Sequence, residues 1–160
     1  MRFWKSILNS VNRLRQLSGS DLRVLLCALL LVPLTAGMLK LIGFRRVYAV
    51  LERLLRSDRP SMIRDAESDH LRARTMRRLV QRAADHSPVP ARCLPVSIVV
   101  WALLRFEGLP AALHLGVRSS SQGFEAHAWV ESGSVVLDDA PGIWRPFPPL
   151  PSTLNTGLHQ

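Results

Sequence analysis

The sequence predicts an α+β fold, in which N-terminal helices precede one buried helix packed on a three-stranded antiparallel meander. Apolar residues recur with a helical period through the first two thirds of the chain, and beyond residue 111 they alternate with a period of two. The residues between Val96 and Leu104 are apolar almost all round, which is typical of a helix buried on several sides. Helices followed by a run of consecutive strands indicate the α+β class.

Amphipathic periodicity predicts three helices that each pack one face. They cover residues 1–19, 45–55 and 64–85. In the third of these, the inward-facing residues are expected to be Leu71, Met76, Leu79 and Val80. A linker near residue 60 divides an N-terminal helical segment, 1–60, from a core domain, 61–160, that ends in a proline-rich tail.

The most apolar segment of the chain predicts a further helix over residues 22–44. Its uncharged run from Val24 to Leu39 has 16 residues, fewer than the ~20 that a membrane-spanning helix needs. Pro33 interrupts the run, so we expect a helix buried against the rest of the fold. Membrane association through 22–44 is the alternative. Cys27 lies inside the run and is expected to be a small buried hydrophobe.

The charge balance limits the classes of partner. Lys and Arg number 21 against 12 Asp and Glu, a net charge of +9 that can attract nucleic acid, anionic lipid or an acidic polypeptide. Four acidic residues dilute the positive charge of the arginines in 64–85, and no aromatic side chain lies among them for base stacking, so no nucleic-acid partner is expected. Two cysteines are too few for a disulfide framework, and no secretory signal is recognised, which predicts a cytoplasmic protein.

Cys93 is the first candidate for chemistry. It stands at the start of the buried helix, with Pro95 in the first turn and Arg92 directly before it. Unpaired N–H groups and the positive end of the helix dipole favour a thiolate there, and a thiolate is a ready nucleophile. The Cys93 N–H can also help to bind an oxyanion.

His127 is the second candidate, at the middle of the second predicted strand. The three strands cover residues 111–118, 124–131 and 135–139. A two-residue loop, taken to pair residues whose numbers sum to 265, places Asp138 opposite His127. A three-residue loop, with sums of 266, places Asp139 there instead. Either carboxylate can orient the imidazole and stabilise its charged form, which completes a Cys–His–Asp triad.

This order of residues resembles the papain-like and transglutaminase-like superfamily. Within it, CLPVSIVVWALLRFEGLPAALHLGV, GFEAHAWVESG and VVLDD are similar to the leader peptidase family of lasso-peptide biosynthesis, the B proteins. The resemblance covers roughly residues 40–145 and implies a transglutaminase-like core. It implies that Cys93 is the nucleophile and His127 the base. The family's spacing from base to acid points to Asp139.

The resemblance also implies a function and partners. In that family the peptidase removes the leader from a ribosomally made precursor, and a separate ATP-dependent cyclase then closes the macrolactam. No strand pattern precedes residue 111, so the chain resembles the split form, whose leader-recognition domain is a separate protein. The basic helices at 45–56 and 64–85 are the expected docking surface for that protein.

Thiol hydrolysis requires no metal and no organic cofactor, and we expect neither. A zinc site formed by Cys93, His114 and His127 lacks the short Cys/His ligand pair that would seed it. Two other functions stay open at this point. One is a transglutaminase-like acyl or amide transferase, in which an amine replaces water. The other is a membrane-associated scaffold with a vestigial triad.

Overall fold

The computed structural model describes residues 18–55, 65–87, 93–120, 123–137 and 147. Within these ranges the chain forms four helices and one three-stranded sheet. The helices are α1 (Gly19–Ile42), α2 (Phe44–Leu54), α3 (Ala66–Asp85) and α4 (Cys93–Phe106). The strands are β1 (Ala112–Ser120), β2 (Gly123–Ser132) and β3 (Val135–Leu137). The predicted α+β fold is therefore confirmed. The helix predicted over 1–19 lies almost wholly outside the described residues.

Helix α1 covers most of the predicted apolar segment but starts earlier than expected. The side chain of Ser18 caps it by accepting a 3.2 Å hydrogen bond from the Asp21 N–H. The helix ends before Gly43, whose φ of +79° is one that glycine adopts readily. Helix α2 begins at the next residue. The buried residues of α1 form one face: Val24, Ala28, Val32, Thr35 and Ala36. Cys27 is exposed, so the prediction of a buried cysteine is wrong, because Cys27 lies off this face.

Helices α2 and α3 confirm the predicted amphipathic helices, with two corrections on α3. Met76, Leu79 and Val80 are buried as expected, whereas Leu71 is 56% exposed. Arg77 does not belong to the expected basic docking surface, because it is buried, where it donates a 2.8 Å hydrogen bond to Gln81. The buried face of α3 also includes three alanines, Ala73, Ala83 and Ala84.

Arg72 of α3 connects three parts of the molecule. It donates two hydrogen bonds to Glu107, just after α4, at 2.6 and 2.9 Å, and a third to Asp21 of α1 at 2.5 Å. The pKa of Arg72 is raised above its usual range, chiefly by the hydrogen bonds to Glu107. The charge of Glu107 and the contact with Asp21 raise it further, and partial burial opposes these effects. The fork of the guanidinium allows this double contact with Glu107.

Helix α4 is the buried central helix. Its eight buried residues run from Pro95 to Leu104, and the largest of them, Trp101, stacks on Tyr48 of α2 at 5.0 Å between ring centroids. It ends as predicted at Gly108, which has a φ of +79°. The N–H groups of Gly108 and Leu109 donate to the carbonyls of Arg105 and Leu104, respectively, and Leu109 is buried. This is the Schellman termination expected of a glycine at that position.

The three strands form an antiparallel sheet in the order β1-β2-β3. The first hairpin pairs Gly116 with His127 and His114 with Trp129. In the second hairpin Ser132 pairs with Val135, so the turn has two residues, Gly133 and Ser134, and paired numbers sum to 267. Both predicted registers, 265 and 266, are therefore wrong. Gly133 has a φ of +60°, which a two-residue turn of this kind requires and glycine supplies.

Helices and sheet share one hydrophobic core. It includes Val24, Ala28 and Val32 of α1 together with residues of α3 and α4, Val130 of β2 and Leu137 of β3. The expected burial of the apolar segment is thus confirmed for one face of α1. The division at residue 60 stays a prediction, since 56–64 lie outside the described residues, but described parts on both sides of it pack into the same core.

Candidate active site

Cys93 is the first residue of α4, as the sequence predicts. Its side chain is half-buried, and Pro95 lies in the first helical turn and is buried. Proline is well tolerated there, because the N–H it lacks would have no partner within the helix. The helix start leaves its first backbone N–H groups without helical acceptors, so they can donate to an oxyanion at this end. Residues 88–92, including Arg92, lie outside the described residues.

Ser97 docks the beginning of α4 onto the central strand. Its hydroxyl donates a 2.9 Å hydrogen bond to the main-chain carbonyl of Ala128, and both residues are buried. Cys93 and Ser97 are four residues apart, so their side chains project from the same face of the helix, one turn apart. Cys93 therefore begins the helical turn that contacts β2 at the residue next to His127.

His127 lies at the middle of β2, opposite Gly116. Its ring centroid is 6.1 Å from that of Trp129 and 5.3 Å from that of Phe147. Strand alternation places His127 and Trp129 on the sheet face that Phe147 covers, and it places Ala128 and Val130 on the face that packs against the helices. Both faces of the central strand are thus covered beside His127.

Phe147 can approach the sheet because position 116 has no side chain. A Cβ added to Gly116 would lie 2.8 Å from the Phe147 Cβ and 3.0 Å from Trp129 Cζ3, closer than real Cβ contacts. The Arg118 guanidinium lies 4.7 Å from the centre of the Phe147 ring and also donates to Glu125 Oε2 at 2.6 and 2.8 Å. Phe147 is therefore buried between His127 and a cation held by a carboxylate.

His114 lies at the edge of the same sheet face, as its place in β1 predicts. Its ring stacks on Trp129 at 5.6 Å, so Trp129 has a histidine ring on each side. His114 Nε2 lies 3.1 Å from Glu131 Oε2, a close contact without hydrogen-bond geometry. Trp129 and Trp101 are both buried and act as packing residues.

The structure places Cys93 and His127 on adjoining elements but not on one face, because alternation along β2 directs His127 to the sheet face opposite the one that α4 packs against. Cys93 and His127 belong to α4 and β2, which Ser97 joins. Asp138 and Asp139 lie outside the described residues, as does Trp144, so Asp139 stays a prediction. The observed register of the hairpin supports neither aspartate, and the resemblance alone selects Asp139.

Gly116 and Phe147 were not among the candidate residues drawn from the sequence. The available signal was a glycine at the centre of a strand, which indicates a close approach of another group. What approaches is 31 positions further along the chain, and nothing local to Gly116 identifies it.

One of the comparisons with known proteins gives a family match. The family model described as Transglutaminase-like superfamily matches residues 38–152, more than two thirds of the chain. The matched range contains Cys93, His127 and Asp139, and it begins near the end of α1. Neither the curated proteins nor the solved structures gave a match.

Proposed function

Because the chain belongs to the transglutaminase-like superfamily, we propose that it is a cysteine peptidase that removes the leader from a ribosomally made lasso-peptide precursor. The superfamily includes both cysteine peptidases and transferases. The assignment of the leader as substrate rests on the resemblance of the helix and strand segments to the lasso-peptide B proteins. In this proposal Cys93 is the nucleophile, His127 the base and Asp139 the acid that orients His127.

The family match carries the proposal, since its matched range covers Cys93, His127 and Asp139. The Ser97 hydrogen bond adds a link between the elements of the first two. It fixes the first turn of α4, where Cys93 stands, to the strand that bears His127, through a buried 2.9 Å contact. Proton transfer requires the imidazole within hydrogen-bond reach of the thiol, so the proposal includes a turn of the His127 side chain towards the start of α4 when the precursor binds.

The proposed reaction has two steps. The Cys93 sulfur attacks the scissile carbonyl while His127 takes the thiol proton, and N–H groups at the start of α4 stabilise the oxyanion. His127 then gives the proton to the leaving amine, and a thioester remains. In the second step His127 activates water, which attacks the thioester and releases the leader as a carboxylate with Cys93 regenerated.

A transferase would follow the same first step and differ only in the second. An amine would take the place of water, and the product would carry a new amide bond. Mass spectrometry of the product separates the two outcomes, because hydrolysis adds the mass of water. A scaffold with a vestigial triad would give neither product and would leave Cys93 unreactive towards a thiol-directed probe.

The proposal includes two partners besides the precursor. The three strands among the described residues form the sheet that bears His127, so the proposal assigns leader recognition to a separate protein, as in the split form that the chain resembles. The exposed face of α3 carries three arginines at intervals of four residues: Arg74, Arg78 and Arg82. This basic face suits a partner whose docking surface is acidic. The ATP-dependent macrolactam cyclase would act on the released core peptide.

The first test compares the two thiols. We expect Cys93→Ala to abolish leader cleavage, since no other group replaces the nucleophile, and Cys27→Ala to retain it, since Cys27 is exposed on α1. Cleavage is measured by chromatography of the precursor with the recognition protein present, and circular dichroism checks that both variants fold. Full cleavage by folded Cys93→Ala would overturn the proposed mechanism.

The second test compares the two aspartates. We expect Asp139→Asn to reduce single-turnover cleavage by ~10²-fold or more, because the imidazole loses the carboxylate that fixes its tautomer. Asp138→Asn is the matched control and should retain most of the rate. A larger loss in the Asp138 variant would assign the orienting role to that residue instead.

A further inference from the structure

Helix α1 turns a continuous apolar face away from the protein. Six leucines of this face, called the leucine face below, are exposed: Leu22, Leu26, Leu29, Leu30, Leu34 and Leu41. Leu30 is 74% exposed and Leu34 is 57% exposed, in the middle of the helix. In the part of the chain that the structure describes, α1 is the one helix long and apolar enough to cross a membrane. An uncovered apolar strip of this length marks a contact surface.

The charges around the leucine face are almost all positive. Arg23 and Lys40 are exposed at the two ends of the uncharged run. Helix α2 adds three exposed arginines: Arg45, Arg46 and Arg53. Between Gly19 and Leu54 the acidic residues are Asp21, which is bound to Arg72, and Glu52. The surface that borders the leucine face is therefore basic.

A basic border around an aliphatic strip fits an anionic lipid surface better than it fits a protein. Protein interfaces are enriched in aromatic residues and carry hydrogen bonds, whereas leucine is under-represented among their energetically important residues. A second copy would bring like charges of the two borders together, which disfavours self-association. Lipid acyl chains require only apolar contact, and anionic headgroups attract the arginines and lysine.

We propose that α1 lies in the plane of an anionic membrane, with the leucine face in the boundary between headgroups and acyl chains. The helix does not span the bilayer in this proposal, because its opposite face is part of the protein core. Val24, Ala28 and Val32 are at most 6% exposed, and Arg72 binds Asp21 at the helix start. A spanning orientation would separate α1 from α3 and expose both buried faces. The proposal is independent of the peptidase chemistry.

The first experiment measures cosedimentation of the full chain with phosphatidylcholine vesicles, with and without phosphatidylglycerol. We expect binding that requires the anionic lipid. Replacing two exposed leucines, Leu30→Glu with Leu34→Glu, should weaken it at least tenfold, since two charges would enter the apolar boundary. Leu71→Glu on α3 is the matched control, because the exposed fraction of Leu71, 56%, is nearly the same as that of Leu34. This variant should bind the vesicles normally.

The second experiment changes the charges without touching the leucine face. Arg23→Gln with Lys40→Gln should weaken binding roughly 25-fold, about fivefold for each cation near an anionic surface. The control removes two exposed cations from α3, Arg74→Gln with Arg82→Gln, and should retain binding. If both double variants weaken vesicle binding equally, net charge alone drives binding, and the assignment of the lipid contact to α1 would be overturned.

The third experiment measures the depth of α1. A fluorophore is placed in the middle of the helix through Leu30→Cys, with Cys27 and Cys93 replaced by serine. Brominated lipids should quench it most when the bromines are near the headgroup end of the acyl chain. Stronger quenching by bromines near the methyl end would mean a spanning helix and would overturn the in-plane orientation. The oligomeric state is also measured in buffer without vesicles. If the chain is a dimer there, and Leu30→Glu with Leu34→Glu makes it a monomer, the leucine face binds a second copy and the lipid proposal is overturned.

Discussion

Gly116 has no room for a side chain, although it lies in a strand where larger residues are usual. The reason is contact and not backbone conformation, since Gly116 is not among the glycines with positive φ. The positions of Cys93 and His127 could be predicted from their own segments of sequence, because helix starts and strand centres have local signals. The cover over His127 could not, since it depends on Phe147 folding back onto a distant strand.

At this scale we expect Gly116→Ala to displace Phe147 from His127. The added methyl group overpacks the site, which should lower the free energy of unfolding by about 1–3 kcal/mol. If the His127 ring then loses its orientation, leader cleavage should fall on the order of 10- to 100-fold in kcat, with a smaller change in KM. Stability is measured by urea unfolding and activity by cleavage of the precursor.

Gly37→Ala provides the control for this substitution. Gly37 lies inside α1 with nothing within 4 Å of an added Cβ, so alanine should stabilise the helix by up to about 1 kcal/mol. Cleavage should be unchanged. An unaltered kcat in Gly116→Ala would mean that Phe147 does not position His127.

The helices and strands followed from hydrophobic periodicity wherever one face is polar. Helices α2 and α3 and strands β1 and β2 appear close to their predicted positions for this reason. Helix α1 is apolar on nearly all sides, so the sequence does not show which face is inward, and Cys27 was placed wrongly. The hairpin register failed because the sequence Ser132–Gly133–Ser134 allows turns of different lengths.

The contact between helix and sheet gives a prediction at the scale of these elements. Ser97→Ala removes the hydroxyl that binds the Ala128 carbonyl and leaves a buried acceptor without this donor. We expect a loss of about 1–3 kcal/mol in the free energy of unfolding. We also expect a lower kcat, because the first turn of α4 is no longer fixed to β2.

Ser134→Ala is the matched control, since Ser134 is exposed in the β2–β3 turn. It should leave unfolding and cleavage unchanged. Urea unfolding and single-turnover cleavage measure the two effects of Ser97→Ala. A stable Ser97→Ala protein with full activity would show that this hydrogen bond does not align the candidate site.

At the scale of the whole molecule, the described residues pack around one core and present two surfaces of different character. Helix α1 presents aliphatic side chains, and α3 presents the arginines Arg74, Arg78 and Arg82. The fold class could be predicted from sequence because the order of helices and strands determines it. The position of α1 could not, because its partners in α3 and α4 lie at least 40 residues further along the chain.

At this scale we expect the isolated chain to cleave its precursor poorly and to depend on the leader-recognition protein. Tethering the leader near the site should raise the rate by ~100-fold or more through its effective concentration. High salt should reduce this gain, because encounter through the arginines of α3 is electrostatic. The measurement is initial rates with and without the recognition protein, at low and high salt.

Two charge variants test where the recognition protein docks. Arg74→Gln with Arg78→Gln should reduce the gain from the recognition protein, and Arg23→Gln with Lys40→Gln on α1 should not, in the absence of vesicles. Equal rates with and without the recognition protein would mean that the chain reads the leader by itself.

The contact between Gly116 and Phe147 also constrains the evolution of the protein. A side chain at position 116 and an aromatic ring at position 147 exclude each other, since the added Cβ would overlap the Phe147 Cβ. Relatives that keep the aromatic residue should keep the glycine, and relatives with a larger residue at 116 should have lost the ring. Positions 116 and 147, which are 31 residues apart, are therefore expected to covary among relatives.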